Sequence, residues 1–115
     1  MDITLPSDCG NSPRMALVAD LAIAWASGNQ DTLEQSLVDA PSWHHFGPDL
    51  PAVAPTHAVV LGAINHGRSA SCDGYLDFAE GVQPQRARFS HVFTFTSMVK
   101  TAKVKEIRTY LVEES

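Results

Sequence analysis

The sequence predicts an α+β fold with its helices first and its strands last. Three observations predict it. Apolar residues recur at helical spacing up to Gly67, they alternate with period two beyond it, and 115 residues fit one domain with one core. The expected shape is three N-terminal helices around a short strand, packed on a curved, mainly antiparallel sheet that encloses a pocket.

Residues 1–12 are polar and read as a flexible lead-in to a domain over 13–115. Ser12-Pro13 is a helix start, a capping hydroxyl before a proline at the first helical position. Val18, Leu21, Ala22 and Trp25 then follow at helical spacing, and Gly28 stops the helix. Asp31 and Glu34 suggest a capping box for a second helix carrying Leu33 and Leu37, ended by Pro41. Ser42 to Phe46 reads as a short strand. Gly47-Pro48, Pro51 and Pro55 make the next segment a loop and a candidate lid. Thr56 is expected to cap a third helix with Val60, Leu61 and Ile64, ended at Gly67.

Beyond Gly67, Cys72, Gly74, Leu76 and Phe78 alternate with Asp73, Tyr75, Asp77 and Ala79. Gly81 to Pro84 is a turn. Phe89, His91, Phe93 and Phe95 then alternate with Arg88, Ser90, Val92 and Thr94. A second turn leads into Val104 to Val112, so three sequential strands form an antiparallel meander.

Composition narrows the function. Hydrophobic residues make up 44%, charged residues 18%, and the formal net charge is −5. An acidic surface repels phosphate backbones, which argues against nucleic-acid partners. Lys100, Lys103 and Lys105 read as turn and sheet-edge lysines. No apolar run reaches the ~20 residues of a membrane span, and no signal peptide stands at the start, so the expectation is a cytoplasmic protein. Cys9 and Cys72 have neither disulfide-scaffold nor metal spacing and read as two reduced thiols. No nucleophile elbow, phosphate loop or nucleotide fingerprint occurs, and no cofactor is expected.

His91 is the most informative residue, an ionisable group in an apolar row. It is either a core histidine with one polar partner or a pocket acid/base. His44 and His45 are adjacent in a strand and face opposite sides. His66, in "NHGR", is explained as a histidine at a helix C-terminus. A zinc site of His44, His66 and His91 has no compact spacing behind it.

Four segments, "LAIAWASGNQDTLEQSLVDA", "SWHHFGP", "HVFTFTS" and "AKVKEIRTYLVE", together resemble the nuclear-transport-factor-two-like superfamily, in its SnoaL-like and ketosteroid-isomerase-like branch. The resemblance covers about residues 13–113 and implies a cystatin-like cone. The fold hosts isomerases, cyclases, dehydratases, hydrolases and binding modules.

In ketosteroid isomerases an aspartate base stands three residues before the glycine after the first strand; His44 holds that place before Gly47. A protonated aspartate stands two residues before the first phenylalanine of the aromatic strand; His91 holds that place before Phe93. A tyrosine stands seven residues before the glycine turn; here it is Leu21. None of the three residue types is kept. The resemblance implies His44 and His91 as catalytic residues. It implies a pocket of Leu21, Trp25, Trp43, His45, Leu61, Phe78, Phe93, Ile107 and Thr109, filled by a small apolar molecule. It also implies a homodimer through the outer sheet face. Two functions stay open: a cofactor-independent isomerase, dehydratase or lyase using histidine acid/base chemistry, or a non-catalytic ligand-binding or dimerisation module.

Overall fold

The computed structural model describes residues 1–7 and 12–114; Cys9 lies outside the described residues. Helix α1 runs Pro13–Ser27, with Ser12 extended at its start and its hydroxyl accepting from the Met15 amide. Gly28 closes α1 in the left-handed region at φ 72°, where its amide bonds back to Ala24 and Trp25. The small residues Ala19, Ala22 and Ala24 of α1 are buried with Val18 and Leu21, so the helix backbone lies close to the sheet.

Helix α2 is short, Gln30–Ser36. Its cap is Asn29, which accepts from the Thr32 amide, and not Asp31, because α1 hands over directly at Gly28. The helix also ends before Pro41. Leu37 leaves it to begin a strand, and its side chain joins the sheet's core.

Among the described residues, six strands form one mixed sheet. They are β1 Asp2–Thr4, β2 Leu37–Phe46, β3 His57–His66, β4 Ser69–Asp77, β5 Arg86–Phe95 and β6 Val104–Glu114, in the order β1-β3-β4-β5-β6-β2. β4, β5 and β6 form the antiparallel meander that the alternation predicts. β1 pairs with β3 and β2 with β6 in parallel.

Three expectations need correction. The third helix does not form: residues 57–66 are β3. Val59, Val60 and Ile64 are β-branched residues that suit a strand. Gly67-Arg68 folds β3 onto β4 as a two-residue hairpin between the paired His66 and Ser69. His66 therefore ends a strand, and the helix-dipole account of it falls. The lead-in contains a strand, β1, seated along β3. Lys105 lies on β6, which is not an edge because β2 covers it.

Two irregularities shape the surface. Val60 pairs with Gly74 and Gly62 with Asp73, so Leu61 is one extra residue in β3. In β2, Leu37 pairs with Val104 and Ser42 with Glu106, five residues against two. The excursion over 38–41 holds Pro41, which has no N–H to pair and is tolerated because β2 is an edge strand. No helix among the described residues is long and apolar enough to cross a membrane.

Candidate functional site

The register sets one row across the inner sheet face: His45 on β2, Thr109 on β6, His91 on β5 and Cys72 on β4. The next row holds Trp43, Ile107 and Phe93. Directly opposed residues project to the same side, so His45, Thr109 and Cys72 share the inward face of His91. α1 and α2 cover this face.

His91 is 1% exposed. Its Nδ1 lies 2.8 Å from Thr109 Oγ1, and the Trp43 indole N–H donates to the same oxygen at 2.9 Å. The indole N–H can only donate, so Thr109 Oγ1 accepts from Trp43, and with one hydrogen and a second lone pair the hydroxyl can serve Nδ1 of His91 in either imidazole tautomer. Nε2 has no hydrogen-bond partner among the described residues. A buried polar group left in this state costs about 1–3 kcal/mol. Trp25 stands edge-to-face on the imidazole at 4.4 Å, with Phe89 and Phe93 on either side. Burial in this aromatic box, and secondarily the charge of His45, pushes the His91 pKa down from 6.5 to about 3. The imidazole is therefore neutral at physiological pH.

The space next to His91 is bounded by Leu21, Trp25, Leu33, Trp43, Phe93 and Ile107, and has no room for a water molecule. On the far side of Trp25 and Trp43 lies a groove of about 740 Å³. The end of α1, α2 and the 38–41 excursion of β2 build it. Leu33, Leu37, Val38 and Pro41 supply apolar wall, Glu34 and Asp39 supply carboxylates, and His45 stands at one end. His45 Nε2 donates to the Pro48 carbonyl at 2.9 Å. Ion pairs to Glu34 or Asp39 are absent among the described residues.

The structure thus brings together Leu21, Trp25, Trp43, His91, Phe93, Ile107 and Thr109, and places His45 at the groove. It separates the other expected residues. His44 lies on the outer face, exposed, with Nε2 4.0 Å from Glu106; it shares no cavity with His91. The adjacent-residue parity of β2 is the reason, since Trp43 points inward and His44 cannot follow it. Leu61 is 52% exposed at the bulge of β3. Phe78 is buried in the core beyond β4 and lines neither space. His44, His66 and His91 do not converge, and no metal-competent group of three His, Cys, Asp or Glu occurs among the described residues. Cys72 is buried, its Sγ 3.6 Å from the Val18 carbonyl.

The sequence reading missed Leu33, Glu34, Val38 and Asp39 as groove residues. The one available signal was Pro41 inside a strand-like run, which marks a break in pairing on an edge.

The outer face is also organised. Phe46 and Tyr110 stack at 5.0 Å. Arg86 lies over the Tyr75 ring and pairs with Asp77, while Arg88 pairs with Glu114. Arg88, next to Glu114, holds that carboxyl below its ordinary value.

Comparison with protein-family models, with curated proteins and with solved structures gives no match for this chain.

Proposed function

We propose that this protein is a non-catalytic small-molecule-binding module of the nuclear-transport-factor-two-like shape, and that its ligand lies in the groove walled by Trp25 and Trp43. One observation carries the reading. The two indoles face a groove of about 740 Å³, within the roughly 300–1,000 Å³ range of small-molecule sites, whereas His91 sits behind them with no space for a reactant. Acid/base chemistry needs a proton-transfer group within hydrogen-bond reach of substrate and a pKa near the working pH. His91 has neither in this state, and His44 is on the other side of the sheet. The helix-on-sheet arrangement and the aromatic β5 row support the family resemblance. The exposed apolar side chains Ile64 and Val112 and the Phe46–Tyr110 stack support pairing of two copies through the outer face. A cytoplasmic location belongs to the same proposal.

A second reading is favoured by the unpartnered Nε2 of His91. If Trp25 and Trp43 part, that atom becomes the one polar group at the bottom of a deepened pocket. The protein would then be a histidine-dependent isomerase, dehydratase or lyase.

A thermal-shift and tryptophan-fluorescence screen of small apolar acids, lactones, amines and steroids separates the two. A ligand at 100 times its Kd raises stability by about 2.7 kcal/mol. Under the binding reading, hits survive His91→Phe and are lost in Val38→Arg, which fills the groove. Hits lost in His91→Phe but kept in Val38→Arg would place the ligand behind the indoles and overturn it.

A further inference from the structure

The charge of the groove is one-sided. Its lining includes two carboxylates, Glu34 and Asp39, and no lysine or arginine. Neither carboxylate has an ion-pair partner among the described residues. Two rings elsewhere carry cations of the fold's own: Arg14 lies over Phe95, and Arg86 and Arg88 over Tyr75. No such contact among the described residues involves Trp25 or Trp43, although indole is the ring that holds a cation best. The chain as a whole carries −5, so the wider field also favours a positive ligand.

A third observation comes from behind the wall. Nε2 of His91 is buried at the back of both indoles and has no hydrogen-bond partner among the described residues. The imidazole places no formal charge there, so nothing beneath the indoles repels a cation resting on them.

Resting on the binding reading above, we propose that the ligand of this groove is an organic ammonium ion, a quaternary or fully substituted amine with an apolar body. Its charged head lies against the Trp25 and Trp43 rings and faces Glu34 and Asp39. Its body lies along the apolar wall made by α2 and the β2 excursion. An anion would meet two unpaired carboxylates and no lysine or arginine, and the one imidazole of the lining, His45, has its Nε2 on the Pro48 carbonyl. A neutral apolar molecule would desolvate those carboxylates without an opposite charge in return.

The test uses the full chain and three probes with one shared skeleton: benzyltrimethylammonium, its uncharged carbon isostere neopentylbenzene, and phenylacetate. Binding is read by tryptophan fluorescence and by Tm. The expected result is at least tenfold tighter binding of the ammonium probe than of the isostere, and no response to phenylacetate. Glu34→Gln with Asp39→Asn should reduce the ammonium affinity about tenfold and leave the isostere unchanged; both positions are exposed, so the variant should keep the parent Tm without ligand. If the isostere or phenylacetate binds as well as the ammonium ion, the inferred charge is wrong while the groove remains a binding site. If the double variant binds the ammonium ion as well as the parent, the carboxylates do not select it and the inference fails. If no probe and no compound of the broader screen binds, the binding reading falls, and this inference with it.

Discussion

Thr109 Oγ1 lies 2.8 Å from Nδ1 of His91 on the neighbouring strand, and both residues are sealed from solvent. The same oxygen receives the Trp43 indole N–H. One hydroxyl therefore serves a buried imidazole and a half-buried indole from two other strands. Thr109→Val keeps the shape and removes both hydrogen bonds. Each orphaned group costs about 1–3 kcal/mol, so urea unfolding should show a loss of roughly 2–6 kcal/mol. Thr109→Ser keeps the hydroxyl and loses only a methyl, for about 1 kcal/mol. Equal stability of the Val and Ser variants would mean that the shared hydroxyl does not hold this cluster together.

Stability should fall with acid in a window set by His91. In the unfolded chain its imidazole titrates near 6.5, and in the folded chain near 3. Between those values the unfolded state binds the extra proton, so its population is favoured as pH falls. The contribution is fully present above about pH 6.5 and is lost progressively down to about pH 3. At 1.36 kcal/mol per pH unit, the loss by pH 5 is about 2 kcal/mol, before most carboxylates titrate. Subtracting the profile of His91→Phe isolates this slope from the exposed histidines. Parallel profiles for parent and variant between pH 7 and 5 would show that the folded imidazole protonates freely.

Gly47 ends β2 at φ 100°, and a Cβ there would lie 2.2 Å from the Leu111 carbonyl oxygen. Gly81 also has a positive φ, 90°, but its Cβ would meet nothing within 4 Å. The two sites separate steric contact from backbone strain. Gly81→Ala should cost about 1 kcal/mol from conformation alone. Gly47→Ala forces β2 away from β6 and should cost at least about 3 kcal/mol, with loss of the groove because Trp43 and His45 ride on the same strand. Calorimetric Tm values for the pair check it; a Gly47→Ala no worse than Gly81→Ala would contradict the close approach.

The elements legible in the sequence are those with local signals. Ser12-Pro13 and Gly28 bound α1 because caps act within one turn. His91 could be placed in the core because alternation with Phe89, Phe93 and Phe95 fixes its side from β5 alone. β3 was illegible because "HAVVLGAINH" carries apolar residues at both helical and strand spacing. Its choice is made by Gly67 and the facing β4. β1 was missed because a three-residue strand has no pattern of its own and exists through its pairing with β3. The groove was missed for a similar reason. Glu34 and Asp39 are five residues apart, on a helix and on a bulged strand, and only the 38–41 excursion brings them to one cavity. The His44/His45 parity was settled by Trp43: residues two apart share a face, and the indole is committed inward by Thr109.

Arg14 shows how a charged residue on a mostly buried helix can act as a tie. Its guanidinium donates to the Gly67 carbonyl at 3.0 Å and to the Val99 carbonyl at 2.8 Å, and lies 4.0 Å from the Phe95 ring centroid. These contacts fasten the start of α1 to the β3–β4 turn and the β5–β6 turn, which lie 32 residues apart in the chain. Lysine cannot reproduce them, because its ammonium is a point donor and the guanidinium is a planar fork that bonds two carbonyls while covering a ring. Arg14→Ala should destabilise by about 1–2 kcal/mol, since the contacts are partly solvated. Arg14→Lys should recover less than half of that loss. Hydrogen exchange gives the sharper readout. Amides of the 97–103 turn should exchange faster in both variants, while those of β4 and the middle of β5, held by strands on both sides, should stay protected. A lysine variant with parent-like stability and an unchanged turn would mean that a single positive charge, without the fork, is all that α1 requires here.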